Sequence, residues 1–152
     1  MDLPNIFTKP ASEAVIARIK QLTPETAAVW GKMNVAQMLA HCNVTYEMMY
    51  EDKHPKPGAF MRFILKMMVK KSVVTTAPYK KNGQTAPAFL IKDEKNFEAE
   101  QKRLIDHIIK TQELGEGHFD GKESHSFGVL TKNEWNNMMY KHLDHHLSQF
   151  GV

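Results

Sequence analysis

Residues 131–151 read TKNEWNNMMYKHLDHHLSQFG, and this stretch decides the fold class. Thr131 and Glu134 stand three apart in the capping-box pattern, and Leu130 and Trp135 occupy the two hydrophobic-staple positions that accompany it. Gly151 supplies the stop. Between these signals the spacing predicts one helix over 131–150, a rod of roughly 30 Å. Trp135, Met138 or Met139, His142, His146 and Gln149 fall along one side of it. An apolar stripe that continues into two imidazoles and a carboxamide buries polar groups, and buried polar groups need partners.

Working outward, the hydrophobic spacing is helical almost everywhere. A helix over 12–22 is expected, capped by Ser12 and turning Val15, Ile19 and Leu22 inward. Pro24 then suits the first position of a short helical stretch ending near Trp30-Gly31. Asn34 and Gln37 form a second capping box, with Met33 and Met38 as staple residues. The helix they open, over 34–50, carries the stripe Val35, Met38, Leu39, Cys42, Tyr46 and Met49. From Phe60 to Val69 every position is apolar except Arg62 and Lys66. That polar stripe is too narrow for a good interfacial helix, so Phe60–Lys71 is expected to be an additional helix covered on most of its surface. Val73 to Thr76 admit a short strand, and Ser72 to Lys92, with Pro78, Asn82-Gly83 and Pro87, read as a long irregular crossover. A third long helix is expected over 93–114, with Phe97, Leu104, Ile105, Ile108 and Ile109 inward, before Gly115, Gly117 and Gly121 break the chain. There are no repeats and no low-complexity tracts. The expectation is a single all-α domain over 1–152.

Composition agrees. At 152 residues, 42% hydrophobic and 24% charged, the chain can build one packed core. A net charge of +3 gives no sign of a phosphate-binding surface, so no nucleic-acid partner is expected. The lone cysteine, Cys42, forms no intramolecular disulfide and lies on an apolar stripe, where a small buried thiol is the ordinary reading. MDLPNIFTKP has an acid, two prolines and no apolar core, unlike a signal peptide, and no run is long enough to span a bilayer. A cytoplasmic protein with no membrane partner is expected. Whether it is a monomer or a homodimer stays open, because an apolar stripe does not say which surface it meets.

The eight histidines carry the chemistry. His142 and His146, four apart, share a helix face and can aim at one point. Such pairs are common by chance. Their place on an inward stripe is what argues for a divalent metal, since neutral imidazole ligates zinc, nickel and similar ions. A third ligand should come from a neighbouring element. His41 is the first choice, lying with Met38, Thr45 and Met48 on the edge of the 34–50 stripe, and His125, in the Ser124–Gly128 loop, is the second. Three histidines with open positions match a catalytic site better than a closed structural one. His125, Gln149, Trp135 and Met38 are expected around the pocket. His145 is expected on the rim and His107, beside Arg103 and Thr111, on the surface, while His54 and His118 carry no spacing argument. Asp144 and Glu134 lie off the histidine face, so no carboxylate is an evident general base.

Trp30-Gly31-Lys32-Met33 leading to Gln37-Met38-Leu39-Ala40-His41-Cys42, then His125 to Trp135 and Tyr140 to Gly151, together resemble the DinB/YfiT-like superfamily of metalloenzymes, nearest to a bacterial branch without assigned function. The resemblance covers about a third of the chain, Trp30–Tyr50 and His125–Val152. It implies a four-helix bundle whose divalent ion is held by one histidine of the second helix and an H-x-x-x-H pair of the last. The matching positions are His41, His142 and His146, with Gln149 at the glutamine that follows the pair. Leu147-Ser148 stands where relatives often carry Arg-Gly. Better-known relatives are transferases and isomerases that use low-molecular-weight thiols. The resemblance therefore implies a metal-dependent enzyme acting on a small molecule, of thiol-transferase or hydrolase type, the ion being Zn, Ni or Mn. A non-catalytic metal- or ligand-binding bundle with a stress or sensing role is the alternative.

Overall fold

The computed structural model describes residues 2–152 and is mostly helical, as the spacing predicts. Its elements run α1 (Lys9–Gln21), α2 (Val35–Tyr50), α3 (Ala59–Met68), α4 (Lys70–Val74), a 3-10 turn at Pro87–Phe89, α5 (Phe97–Phe119), β1 (Lys122–Ser124), β2 (Gly128–Leu130) and α6 (Lys132–Gln149). Helices α1, α2, α5 and α6 enclose one core, with α2 against α5 the most extensive contact and α1 seated on both α5 and α6. Val15 and Ile19 of α1, Leu39 of α2, Leu104 and Ile108 of α5, and Trp135, Met139 and Leu143 of α6 are buried in it.

Both capping boxes form. Asn34 accepts from the Gln37 amide at 2.8 Å while Gln37 Oε1 accepts from the Asn34 amide at 3.1 Å. Thr131 and Glu134 do the same at the start of α6. These boxes fix where α2 and α6 begin, and so fix the register of every histidine on them. Arg18 ties α1 to the end of α6 through Asp144 at 2.7 Å and the Val152 carbonyl at 2.8 Å.

Several expectations need correction. Helix α1 starts earlier than Ser12: Thr8 is its N-cap residue and Pro10 lies in the first turn, where a fixed φ and a missing N–H cost nothing. Ser12 is inside the helix, buried, its hydroxyl donating to the Lys9 carbonyl at 3.0 Å. Residues 24–31 form turns and bends, not a helix; the Thr23 amide donates to Thr26 Oγ1 at 2.8 Å, and the Val29 amide donates to the Gln149 carbonyl at 2.8 Å. Val73 and Val74 end helix α4, so no strand forms there. The third long helix runs Phe97–Phe119 from its Asn96 cap, and Gly115 (φ 72°, ψ 167°) puts a kink in it that only glycine adopts without strain. Ile109 is exposed, because α5 buries one narrow side through Leu104, Ile108 and Thr111. The β1–β2 hairpin, pairing Lys122 with Leu130, was not foreseen; two three-residue strands are too short to show a period of two.

The largest departure is at 59–74. Val69 (φ −111°) interrupts the expected helix between α3 and α4, and α3 buries none of its residues. Phe60, Met61, Phe63, Met67 and Met68 are exposed. The helix is not covered.

Candidate metal centre

Helices α2 and α6 pack together so that His41, His142 and His146 converge. One ring nitrogen from each lies within 4.8 Å of the other two, and ring centroids are 4.4–5.0 Å apart. His41 and His146 are buried, and His142 is half-buried.

Each ring is held by its Nδ1. His41 Nδ1 is 2.9 Å from the Phe89 carbonyl, which only accepts, so Nδ1 carries the proton and Nε2 a lone pair. Gln149 Nε2 donates to the Trp30 carbonyl at 2.8 Å, which leaves Gln149 Oε1 to accept from His146 Nδ1, also at 2.8 Å. That again frees Nε2. His142 Nδ1 meets Thr45 Oγ1 at 3.2 Å, and its Nε2 lies 3.0 Å from His41 Nε2. With His41 Nε2 bearing a lone pair, His142 Nε2–H donates to His41 and the Thr45 hydroxyl donates to His142 Nδ1. A hydroxyl also accepts, so the opposite tautomer, with a lone pair on His142 Nε2, is satisfied by the same Thr45. All three rings can thus present lone pairs inward while their other nitrogens stay hydrogen-bonded. This is how metal-ligating imidazoles are ordinarily oriented.

The electrostatics point the same way. Burial, then proximity to His146 and His41, holds His142 well below the usual histidine value. Burial and His41 push His146 down to about 3, and burial lowers His41. The rings are therefore neutral at pH 7, the form that ligates a metal. The donor set fits a borderline divalent ion.

Gly31 makes the Gln149 contact possible. Its φ of 87° is the left-handed region, and a Cβ there would stand 2.3 Å from Gln149 Nε2. The site's hidden supports are thus Thr45, Gly31 and the carbonyls of Phe89 and Trp30. Backbone acceptors leave no residue-type signature. Thr45 had one: it stands four residues after His41 on the same edge of α2.

A cleft of about 1240 Å³ opens onto the histidines, walled by α2, α3, α4, α6, the hairpin turn and the crossover. Trp135, Gln149 and His125 line it. Met38 does not. It is fully buried beneath the site with Cys42 Sγ 3.8 Å from its sulfur, and Met48, Met49 and Met138 line the cleft in its place. Cys42 is buried, and burial pushes its thiol up, so it remains protonated. His125 stands apart from the triad, its ring bonded to Ser126 Oγ and the His54 carbonyl. His145 sits on the rim, edge-on to Trp30 and Tyr79. Asp144 and Glu134 are engaged by Arg18 and Lys70, and among the described residues no carboxylate lines the cleft. His107 is not a surface residue: its ring stacks on Tyr46 at 5.2 Å and its Nδ1 bonds Asn43, because α5 packs directly on that face of α2.

None of the described helices is long and apolar enough to cross a membrane. No curated protein and no solved structure matches the chain. A family model described as a protein of unknown function (DUF1569) matches residues 5–151, from the segment before α1 to the end of α6 and through all three histidines. The chain belongs to that family.

Proposed function

We propose that this protein is a divalent-metal-dependent enzyme with a DinB/YfiT-like four-helix bundle, acting on a small molecule by thiol transfer or hydrolysis. The observation that supports the reading is the orientation of the three imidazoles, each anchored through Nδ1 to its own partner. His41, His142 and His146 would hold the ion, with Thr45, Gln149 and the Phe89 carbonyl fixing the rings. A bound divalent ion supplies Lewis acidity, which makes a nucleophile of water or a thiol at neutral pH.

The chain's own groups do the rest. Met48, Leu65, Val69, Phe127 and Met138 give the cleft apolar walls that exclude water and take the body of a small substrate. With no carboxylate in the cleft, His145 is the best-placed proton acceptor of the chain. Its centroid is 5.0 Å from that of His146, and its ring nitrogens make no hydrogen bond to a described residue. That same lack of a carboxylate favours the second reading, a bundle that binds or senses a metal or ligand without turnover.

Metal analysis of protein purified without added ions or a histidine tag comes first, and about one divalent ion per chain is expected. Protein loaded with zinc, nickel or manganese is then assayed for thiol consumption and ester hydrolysis beside His146→Ala. Turnover that needs both the ion and His146 is the expected result. Tight metal binding with no turnover selects the second reading, and failure to bind any of the three ions sinks the enzyme and reduces the second reading to a bundle that binds a ligand without a metal.

A further inference from the structure

Helix α3 leaves a continuous apolar face in water. Phe60, Met61, Phe63, Met67 and Met68 are between 51% and 78% exposed. A soluble surface carries single apolar side chains freely, but a cluster of this kind marks an interaction site. The opposite side of α3 is occupied, since Leu65 and Val69 wall the cleft. The narrowness of the polar stripe therefore has a local cause: one flank of the helix serves the cleft, Arg62 and Lys66 hold the border, and the rest faces out.

Charge says what meets that face. From Lys53 to Lys92 the chain carries nine Lys and Arg and not one Asp or Glu. The remainder holds eleven bases against all 17 acids. The net charge of +3 conceals a basic segment, running from just before α3 through α4 and the crossover, set against an acidic remainder. Arg62 is paired with Glu123 and Lys70 with Glu134. Lys53 is 2.6 Å from Glu51. Lys56, Lys66 and Lys71, which bracket and border the exposed face, make no ion pair within 4.0 Å among the described residues; Lys56 and Lys66 feel Glu123 only at longer range, where that carboxylate is already held by Arg62, so most of their charge faces outward.

We propose that α3 docks this protein on an anionic lipid surface, with Phe60, Phe63 and Met67 in the boundary between headgroups and acyl chains and Lys56, Lys66 and Lys71 against acidic headgroups. An apolar face rimmed by lysines is the arrangement that lies in a bilayer interface. A second copy is a poor occupant. A two-fold contact through α3 would bring the same basic segment against itself, and an off-axis contact with the acidic remainder would not close. Nucleic acid would match the lysines but leave five large apolar side chains against phosphates. The helix is far too short to span, so the docking is peripheral.

Co-sedimentation with phosphatidylcholine vesicles, alone or with about 30% phosphatidylserine, tests this. The untagged full chain is compared with Phe63→Glu/Met67→Glu and with Lys56→Glu/Lys66→Glu/Lys71→Glu, and each protein's solution mass is measured alongside. Wild type should sediment with the anionic vesicles and not with phosphatidylcholine alone, and should be released by high salt. The lysine variant should bind about a hundred-fold more weakly, and the glutamate pair should show no binding. Should the glutamate pair lose its helical circular dichroism, the lysine variant, which alters no apolar side chain, decides. Equal sedimentation with both vesicle types, or with neither, overturns the proposal. So does unchanged binding by the lysine variant. A wild-type dimer that the Phe63→Glu/Met67→Glu pair turns into monomer also overturns it, by assigning the face to a second copy.

Discussion

Helices α2 and α3 are both rich in apolar residues, and their fates are opposite. In α2 almost every residue from Val35 to Glu47 is buried, polar Asn43, Thr45 and Glu47 included. In α3 none is. The difference lies in what stands beside them. Helix α2 is flanked by α5 on one side and α6 on the other, so even its polar side chains find partners, as Asn43 does with Glu100 and Glu47 with Arg103 and His54. Helix α3 leans on the cleft and, through Arg62 and Lys66, on the β1–β2 hairpin, with nothing among the described residues over its outer face. Periodicity reports that a helix has an apolar side, and says nothing of whether the fold supplies a surface to cover it.

Truncation in the buried seam gives the largest effect that this comparison predicts. Leu143→Ala, on the core side of α6 next to His142, should destabilise the protein by about 2–5 kcal/mol, from lost transfer energy and the cavity left behind. Urea unfolding at pH 7 measures it. A cost under about 1 kcal/mol would mean that the core beneath α6 is loosely packed, and the orientation of the histidines would lose its support.

Acidification comes next and acts on the same seam. Burial lowers His41, His142 and His146 in the folded protein. The unfolded chain, with histidines near about 6.5, binds more protons than the folded one below that pH. Their contribution is therefore present above about 6.5 and lost as pH falls toward the folded values. The urea midpoint of metal-free protein should drop between pH 7 and pH 5, and His146→Gln should flatten that slope by at most about 1.4 kcal/mol per pH unit. Glu47, lowered by its bonds to Arg103 and His54 against the opposing effect of burial, adds a further loss only at lower pH, in the carboxylate range. A midpoint independent of pH from 7 to 5 would show that the rings are not buried as neutral groups.

What the sequence made legible follows the same division. Both capping boxes, the last helix to its glycine stop and the inward stripe of α6 are written in local chemistry; they give the His142–His146 pair, while the third ligand stays open between His41 and His125 until the resemblance points to His41. The start of α1 was misplaced because Ser12 and Thr8 are both capping residues, and Pro10 settles the choice only once the first turn is known. The exposure of α3 was not readable from its own residues, since coverage depends on neighbours far along the chain. The run of nine bases without an acid was in plain sight, but an average over the chain cancels it.

Gly31→Ala tests the support of the seam from outside. Its Cβ would collide with Gln149 Nε2 in a left-handed conformation that alanine disfavours by about 1–2 kcal/mol. The loop must shift or Gln149 must release the Trp30 carbonyl and with it His146 Nδ1. A stability loss of about 1–2 kcal/mol should therefore accompany zinc affinity weakened about 10- to 100-fold, read by calorimetry. Destabilisation with unchanged zinc affinity would show that Gln149 does not orient His146.

The smallest effect belongs to α3. Replacing Phe60, Phe63 or Met67 by serine removes a large apolar side chain, a change that in α2 would be severe. Hydrophobic stabilisation is proportional to the area that folding withdraws from water, and these side chains keep most of theirs in both states. Each substitution should therefore change the unfolding free energy in dilute buffer by no more than about 0.5 kcal/mol, the range of ordinary surface positions. The modest helix propensity of serine costs little against phenylalanine, which ranks beside it. A loss above about 1.5 kcal/mol would mean that the face is covered in solution, and dependence of that loss on protein concentration would identify the cover as another copy. Near-neutrality at all three positions, beside the cost of Leu143→Ala, would show that α3 keeps its apolar face for something other than folding.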